Sequence, residues 1–147
     1  MTIEAALREL ESLLPGVNYV VGLRLDRVPP IPDATPAQYI TAALGPKAVV
    51  GGVSEDSAPE VLAEVERCLR YPGDRSAGPP ASVLGLRRFT ELVEFVLEYL
   101  ARGIAESEAV FSFWLKDGHP FYPVFWDFAY LLVGVGGAEV LIGSSSD

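Results

Sequence analysis

The chain has 147 residues, half of them hydrophobic, and a formal net charge of −9. This length suits one domain with its own core, and the hydrophobic content argues against disorder. The negative charge argues against nucleic acid and anionic membranes as partners, because both attract clusters of Lys and Arg.

The single cysteine, Cys68, excludes an intramolecular disulfide and fits a reducing cytoplasm. The N-terminal residues show no basic segment followed by an apolar one, so we expect no signal peptide. The longest uncharged apolar run, 128–138, is too short to cross a bilayer. We therefore predict a cytoplasmic protein.

Four helices are predicted from N-terminal capping residues and from apolar side chains at helical spacing. Thr35 and Ser57 each begin a capping box, completed by Gln38 and Glu60. Gly103 is predicted to be the left-handed residue that ends the longest helix. The predicted ranges are about 3–14, 36–44, 58–70 and 88–102.

The last third of the chain predicts an antiparallel meander. Residues 110–116 alternate between the two faces of a strand, and Asp117-Gly118 is a strong turn signal. Residues 124–133 are rich in aromatic and β-branched side chains on both faces, which is typical of a covered central strand. The cluster Gly134–Gly137 can reverse the chain into a last strand, 138–142. Two earlier strands are predicted at 17–26 and 47–53, and residues 71–82 form either a connector or a binding loop.

The predicted order is α-β-α-β-α-α-β-β-β, with helices first and strands last. This order predicts an α+β fold rather than a doubly wound parallel sheet. We expect one domain, 1–147, in which the C-terminal meander packs against about four helices.

Sequence motifs of the common catalytic and metal sites are missing. The chain has no Walker loop, no paired-cysteine metal pattern, no HExxH and no GxSxG. We therefore assign no catalytic residue, no metal ligand and no cofactor, and we expect a binding protein rather than an enzyme.

Negative charge is concentrated in the second half, where residues 90–147 carry −7. Glu91, Glu94 and Glu98 lie on the polar side of the longest predicted helix, and Glu106 and Glu108 follow. This acidic row is either a solvated helix face, partly balanced by a Glu98–Arg102 pair, or a surface that steers a basic partner.

Three further side chains are candidates for contact with a partner. Trp114 is predicted on the polar face of its strand, where it is either an exposed anchor or covered by a helix. Asp127 lies between two aromatic residues and must be paired, hydrogen-bonded or at the rim. His119 is expected to be exposed or hydrogen-bonded within its turn. The predicted partner-binding residues are Glu91, Glu94, Glu98, Glu106, Glu108, Trp114, Asp117, His119 and Asp127.

A small acidic domain with the aromatic segments Phe113–Pro120 and Pro123–Asp127 resembles the immunity proteins of bacterial toxin systems. The resemblance implies a stoichiometric inhibitor that covers the active site of a cognate toxin and needs no cofactor. We expect the chain to be a monomer or homodimer.

Two alternatives remain open from the residues. One is a small enzyme or ligand-binding domain with a pocket near Asp127, His119 and Tyr122. The other is a structural homo-oligomerising module in which the last strand, 138–142, pairs with a second copy.

Overall fold

A computed structural model describes residues 1–147 as an α+β domain, as predicted, with five helices and one five-stranded antiparallel sheet. The helices are α1 (Ile3–Leu13), α2 (Pro36–Leu44), α3 (Ala58–Leu69), α4 (Ala81–Leu84) and α5 (Arg87–Glu106). The strands are β1 (Val20–Val28), β2 (Val49–Glu55), β3 (Ala109–Asp117), β4 (Trp126–Gly134) and β5 (Gly137–Ser146).

The strands lie in the order β1-β5-β4-β3-β2. The predicted meander is therefore confirmed, with β4 at the centre of the sheet and β5 turning back through Gly134↔Gly137. The last strand is not at an edge, because β5 pairs with β1 on one side and β4 on the other. The prediction that this strand pairs with a second copy is wrong for that reason.

The two faces of the sheet are covered unequally. Helices α1, α3 and α5 cover one face and bury a large core, in which Leu10, Val65 and Phe89 meet the aromatic side of β4. On the opposite face, Ile40 of α2 and Leu131 of β4 belong to a smaller core. The sheet is therefore a layer between three helices and one, which explains why β4 is apolar on both faces.

Helix α5 is longer than predicted, since it continues through Gly103 to Glu106. Gly103 is a close-packing position and not the end of the helix: a Cβ there would lie 3.1 Å from Cδ2 of Leu132. The helix ends at Ser107, whose hydroxyl donates to the carbonyl of Gly103 at 2.6 Å.

Residues 71–82 are mostly loop, as predicted, but the short helix α4 begins at Ala81 and was not predicted. The carboxylate of Asp74 accepts hydrogen bonds from the backbone nitrogens of Ser76 and Ala77 at 2.7 and 3.1 Å. Asn18 donates to the carbonyl of Ser76 at 2.9 Å and ties the loop to the start of β1. These bonds give the loop a defined shape.

None of the five helices is long and apolar enough to cross a membrane.

The outer edge of β1 is capped at Leu23 by two side chains of α1. The backbone nitrogen of Leu23 donates to the Glu11 carboxylate at 2.8 Å, and Arg8 donates to the Leu23 carbonyl. These two side chains occupy groups that a neighbouring strand would otherwise use, so the edge is protected against pairing with another chain.

Candidate functional site: an acidic cleft between β3 and β4

The sheet splits where β3 and β4 stop pairing. Their last pair is Ser112↔Tyr130. Beyond it, residues 113–117 pair only with β2 and residues 126–129 only with β5. A cleft of about 440 Å³ opens in this fork, and we call it the acidic cleft. Its lining residues are Asp56, Glu60, Glu64, Ser112, Phe113, Trp114, Asp127, Phe128, Ala129 and Tyr130.

One wall of the acidic cleft is the start of α3. Glu60 and Glu64 are four residues apart in α3 and therefore share one face of the helix, and Asp56 lies just before the capping residue Ser57. Val61 and Val65, one residue further along, are fully buried and hold α3 against the sheet. The amphipathic pattern of the helix therefore presents two carboxylates to the cleft, and Asp56, just before the helix, adds a third.

The capping box predicted at the start of α3 is only half formed. The Ser57 hydroxyl accepts from the Glu60 nitrogen at 3.4 Å, whereas the Glu60 side chain turns to Asp56. A hydrogen bond between the two carboxyl groups, and the negative charge of Asp56, raise the pKa of Glu60. This pair is a place where added positive charge would be favourable, because the two acids repel when both are ionised.

Glu64 connects the cleft to the core beneath it. Its carboxylate accepts from Arg67 at 2.7 Å, and the thiol of Cys68 donates to it at 3.6 Å. Burial raises the pKa of Cys68 to about 12, and the charge of Glu64 adds to this effect. Cys68 is therefore a protonated core side chain and not a nucleophile at neutral pH.

Tyr130 lies at the base of the cleft and is only 4% exposed. No protein group forms a hydrogen bond with its hydroxyl, although most buried tyrosine hydroxyls have a partner. Burial raises the pKa of Tyr130, and the charges of Glu64 and Asp56 raise it further. The hydroxyl is thus a neutral polar group, close to two acids and available to a ligand.

Trp114 forms the wall opposite α3 and is 59% exposed. No helix covers it, so that part of the prediction is wrong. Its indole instead lies on Gly51 and Gly52 of β2, where a Cβ on either residue would come within 2.4 Å of the ring. The glycines let the ring lie flat on the strand, with one face against the backbone.

Two of the predicted partner-binding residues, Trp114 and Asp127, meet in the acidic cleft. Asp127 is exposed, and its carboxylate forms no ion pair or hydrogen bond within the protein, so the predicted structural pairing is absent. Asp117 is exposed at the end of β3, where it accepts from the Gly118 nitrogen at 2.9 Å.

The acidic row of α5 is not part of the cleft. Glu91 forms ion pairs with Arg87 at 3.3 Å and Arg88 at 3.8 Å, so its charge is balanced by its own helix. Glu94 and Glu98 are exposed, and Glu98 forms no ion pair with Arg102, which corrects that prediction. Both remain solvated, as expected for long side chains whose pairing at a surface gains little. Glu106 and Glu108 are also exposed, at the C-terminal end of α5 and just before β3.

His119 and Tyr122 lie outside the acidic cleft, so they do not share this pocket with Asp127. The His119 ring is partly buried and fixed by the backbone: its Nδ1 accepts from the Phe121 nitrogen at 2.9 Å. The neutral ring therefore carries its proton on Nε2, which is buried without a partner. Burial lowers the pKa of His119, and the charge of Asp127 opposes this effect.

Replacement of His119 with asparagine should remove a pH-dependent contribution to stability. A lowered pKa means that the unfolded chain binds the proton more readily. The histidine therefore stabilises the fold above its ordinary pKa of 6.5, and this contribution is lost as the pH falls below 6.5 through the folded-state value. The amide oxygen of the introduced asparagine can still accept from the Phe121 nitrogen. Urea denaturation of both proteins from pH 4 to 8 should show the wild type losing more stability on acidification, and parallel curves would contradict the prediction.

Sequence reasoning missed Asp56, Glu60, Glu64 and Tyr130 as site residues. A signal for Glu60 and Glu64 was present, since acids at an interval of four on an amphipathic helix share one face. No signal pointed to Tyr130, because an aromatic residue in a central strand is typical of a core. The four carboxylates of the cleft do not form a group that could hold a metal ion.

Comparison of the chain with protein-family models, with curated proteins and with solved structures finds no match, so the geometry of the acidic cleft carries the functional argument.

Proposed function

We propose that this protein binds a basic protein partner through the acidic cleft and inhibits it stoichiometrically, as an immunity protein does with its toxin. The observation that carries the proposal is a concave site lined by four carboxylates, an exposed tryptophan and an unpartnered tyrosine hydroxyl. The carboxylates are Asp56, Glu60, Glu64 and Asp127.

Charge favours a cationic ligand over any other in this cleft. Arg67 is the only basic side chain paired to its carboxylates, and it pairs with Glu64 alone. Asp127, Asp56 and Glu60 form no ion pair with a basic side chain; Asp56 accepts only from the Ser57 nitrogen at 2.8 Å and shares a hydrogen bond with Glu60. A lysine or arginine side chain entering the cleft would therefore relieve repulsion as well as form charge-assisted hydrogen bonds.

Trp114 and Tyr130 add an aromatic face and a hydrogen-bonding hydroxyl to the negative charge of the cleft. The exposed face of an indole attracts cations, arginine most often, and adds contact area at a small cost in side-chain entropy. The Tyr130 hydroxyl can accept a hydrogen bond from an ammonium or guanidinium group. The combination suits a long basic side chain better than it suits an anionic or a purely apolar ligand.

The test is co-expression with the protein encoded next to this one, followed by co-purification and a growth assay for neutralisation. The variant Asp56→Asn/Glu60→Gln/Glu64→Gln removes three charges from the cleft and should weaken binding about tenfold, because complementary charge governs recognition at such a surface.

The matched control is Glu91→Gln/Glu94→Gln/Glu98→Gln, which removes the same number of charges from α5 and should leave affinity within about twofold. Affinity for the partner should also fall as salt rises. Equal losses in the two variants would place the binding surface elsewhere, and a neighbour protein that neither co-purifies nor is neutralised would argue against the function.

A further inference from the structure

The fork leaves two strand edges without a partner strand. Residues 113–117 of β3 and 126–129 of β4 face each other across the acidic cleft, and neither segment pairs with the other. Unpaired strand edges present rows of N–H and C=O groups that readily accept another strand. At the outer edge of β1, in contrast, Arg8 and Glu11 already occupy the backbone groups of Leu23.

We propose that the partner enters this fork as an extended basic segment and adds a strand at the edges that β3 and β4 leave there; this inference rests on the proposed function. Main-chain hydrogen bonds to a sheet edge are one of the recurring ways in which proteins bind peptides. The recognised part of the partner is a short stretch of extended chain with basic side chains at alternate positions.

Acidic groups lie on both sides of the position that such a strand would occupy. Successive side chains of a strand point to opposite faces of the sheet. Glu60 and Glu64 of α3 belong to the face covered by three helices. Asp127 alternates with the buried Phe128 of that face and therefore points to the other. A basic side chain would meet a carboxylate on either face.

The spacing of the α3 acids matches the repeat of a strand. Residues four apart on a helix are separated by about 6 Å along its axis. Alternate residues of a strand are about 6.8 Å apart. Two basic side chains at positions i and i+2 of the segment can therefore contact Glu60 and Glu64 at once, in a cleft that Tyr130 also lines.

A second copy of this chain does not fit the fork. Each copy carries a net charge of −9, and the site is itself acidic, so pairing between copies would bring like charges together. The charge selects a basic segment of a different protein.

The experiment uses two capped eight-residue peptides that alternate lysine and threonine and carry the same charge. One has N-methyl groups on alternate backbone nitrogens and cannot donate the corresponding hydrogen bonds. At low salt, the unmethylated peptide should bind the intact protein at least tenfold more tightly. It should also slow amide hydrogen exchange at least tenfold within residues 113–117 or 126–129.

The other outcomes separate this inference from the proposed function. If both peptides bind equally and these amides are not protected, strand addition is wrong. If both peptides also bind less well to the Asp56→Asn/Glu60→Gln/Glu64→Gln variant, recognition of charge by the cleft stands. If neither peptide binds, or if the triple variant binds them as well as the wild type does, both the strand addition and the proposed function fail.

Discussion

Replacing Gly137 with alanine should lower the free energy of unfolding by about 3 kcal/mol. Gly137 begins β5 with φ at +119°, a conformation that residues with a side chain rarely adopt. A Cβ at this position would lie 2.2 Å from the carbonyl oxygen of Val28, which is backbone and cannot move aside easily. Backbone strain and overpacking each cost about 1–3 kcal/mol, so their combination should rank among the most damaging single changes in this chain.

The preceding residue provides the control, because a Cβ on Gly136 would meet nothing within 4 Å and its φ lies outside the strained region. Gly136→Ala should therefore change stability by no more than about 0.5 kcal/mol in either direction. Urea denaturation followed by circular dichroism measures both variants. If the two alanine variants are equally stable, the backbone at Val28 can move away from β5, and the prediction is wrong.

Replacing Trp114 with alanine should weaken binding of the basic partner about 30-fold or more. Its indole lies on Gly51 and forms the wall of the acidic cleft opposite α3, so truncation removes both a cation-binding face and one side of the cleft. Buried or half-buried tryptophans at the centre of an interface typically contribute about 2 kcal/mol or more when truncated, which corresponds to this factor.

A matched control is Tyr122→Ala, which truncates another aromatic side chain, 76% exposed and outside the cleft. Affinity for the co-purified partner, measured by calorimetry, should stay within about twofold of the wild type for this variant. Circular dichroism and urea denaturation of Trp114→Ala would show whether β2 keeps its structure once the glycines lose their cover. Equal affinity of a folded Trp114→Ala and the wild type would exclude the acidic cleft as the binding surface.

Two of the nine predicted partner-binding residues line the acidic cleft, and the other seven lie outside it. Trp114 and Asp127 were singled out because a large aromatic and a carboxylate are unusual in their strand positions, and both line the acidic cleft. The acidic row is predicted from its density of charge and its place on the polar side of the longest helix. Density of charge does not say what the charge faces, and Glu91 faces the arginines of its own helix.

Local chemistry was sufficient to predict most elements of this chain. Helix α2 begins and ends where its capping box and Gly45 place it, because those groups satisfy the backbone at the ends of the helix. The turn at Gly134–Gly137 and the central position of β4 follow from glycine conformation and from the apolar character of both strand faces. These features depend on residues close together in the sequence.

Only the tertiary structure decided which strands are neighbours and which side chains meet. The pairing of β1 with β5 and the split between β3 and β4 join residues that are far apart in the chain, and hydrophobic periodicity fixes faces without fixing neighbours. Gly103 was read as a helix end because its close contact with Leu132 comes from another element. The acidic cleft likewise exists because α3, β3 and β4 converge, and packing of the core beneath them determines that convergence.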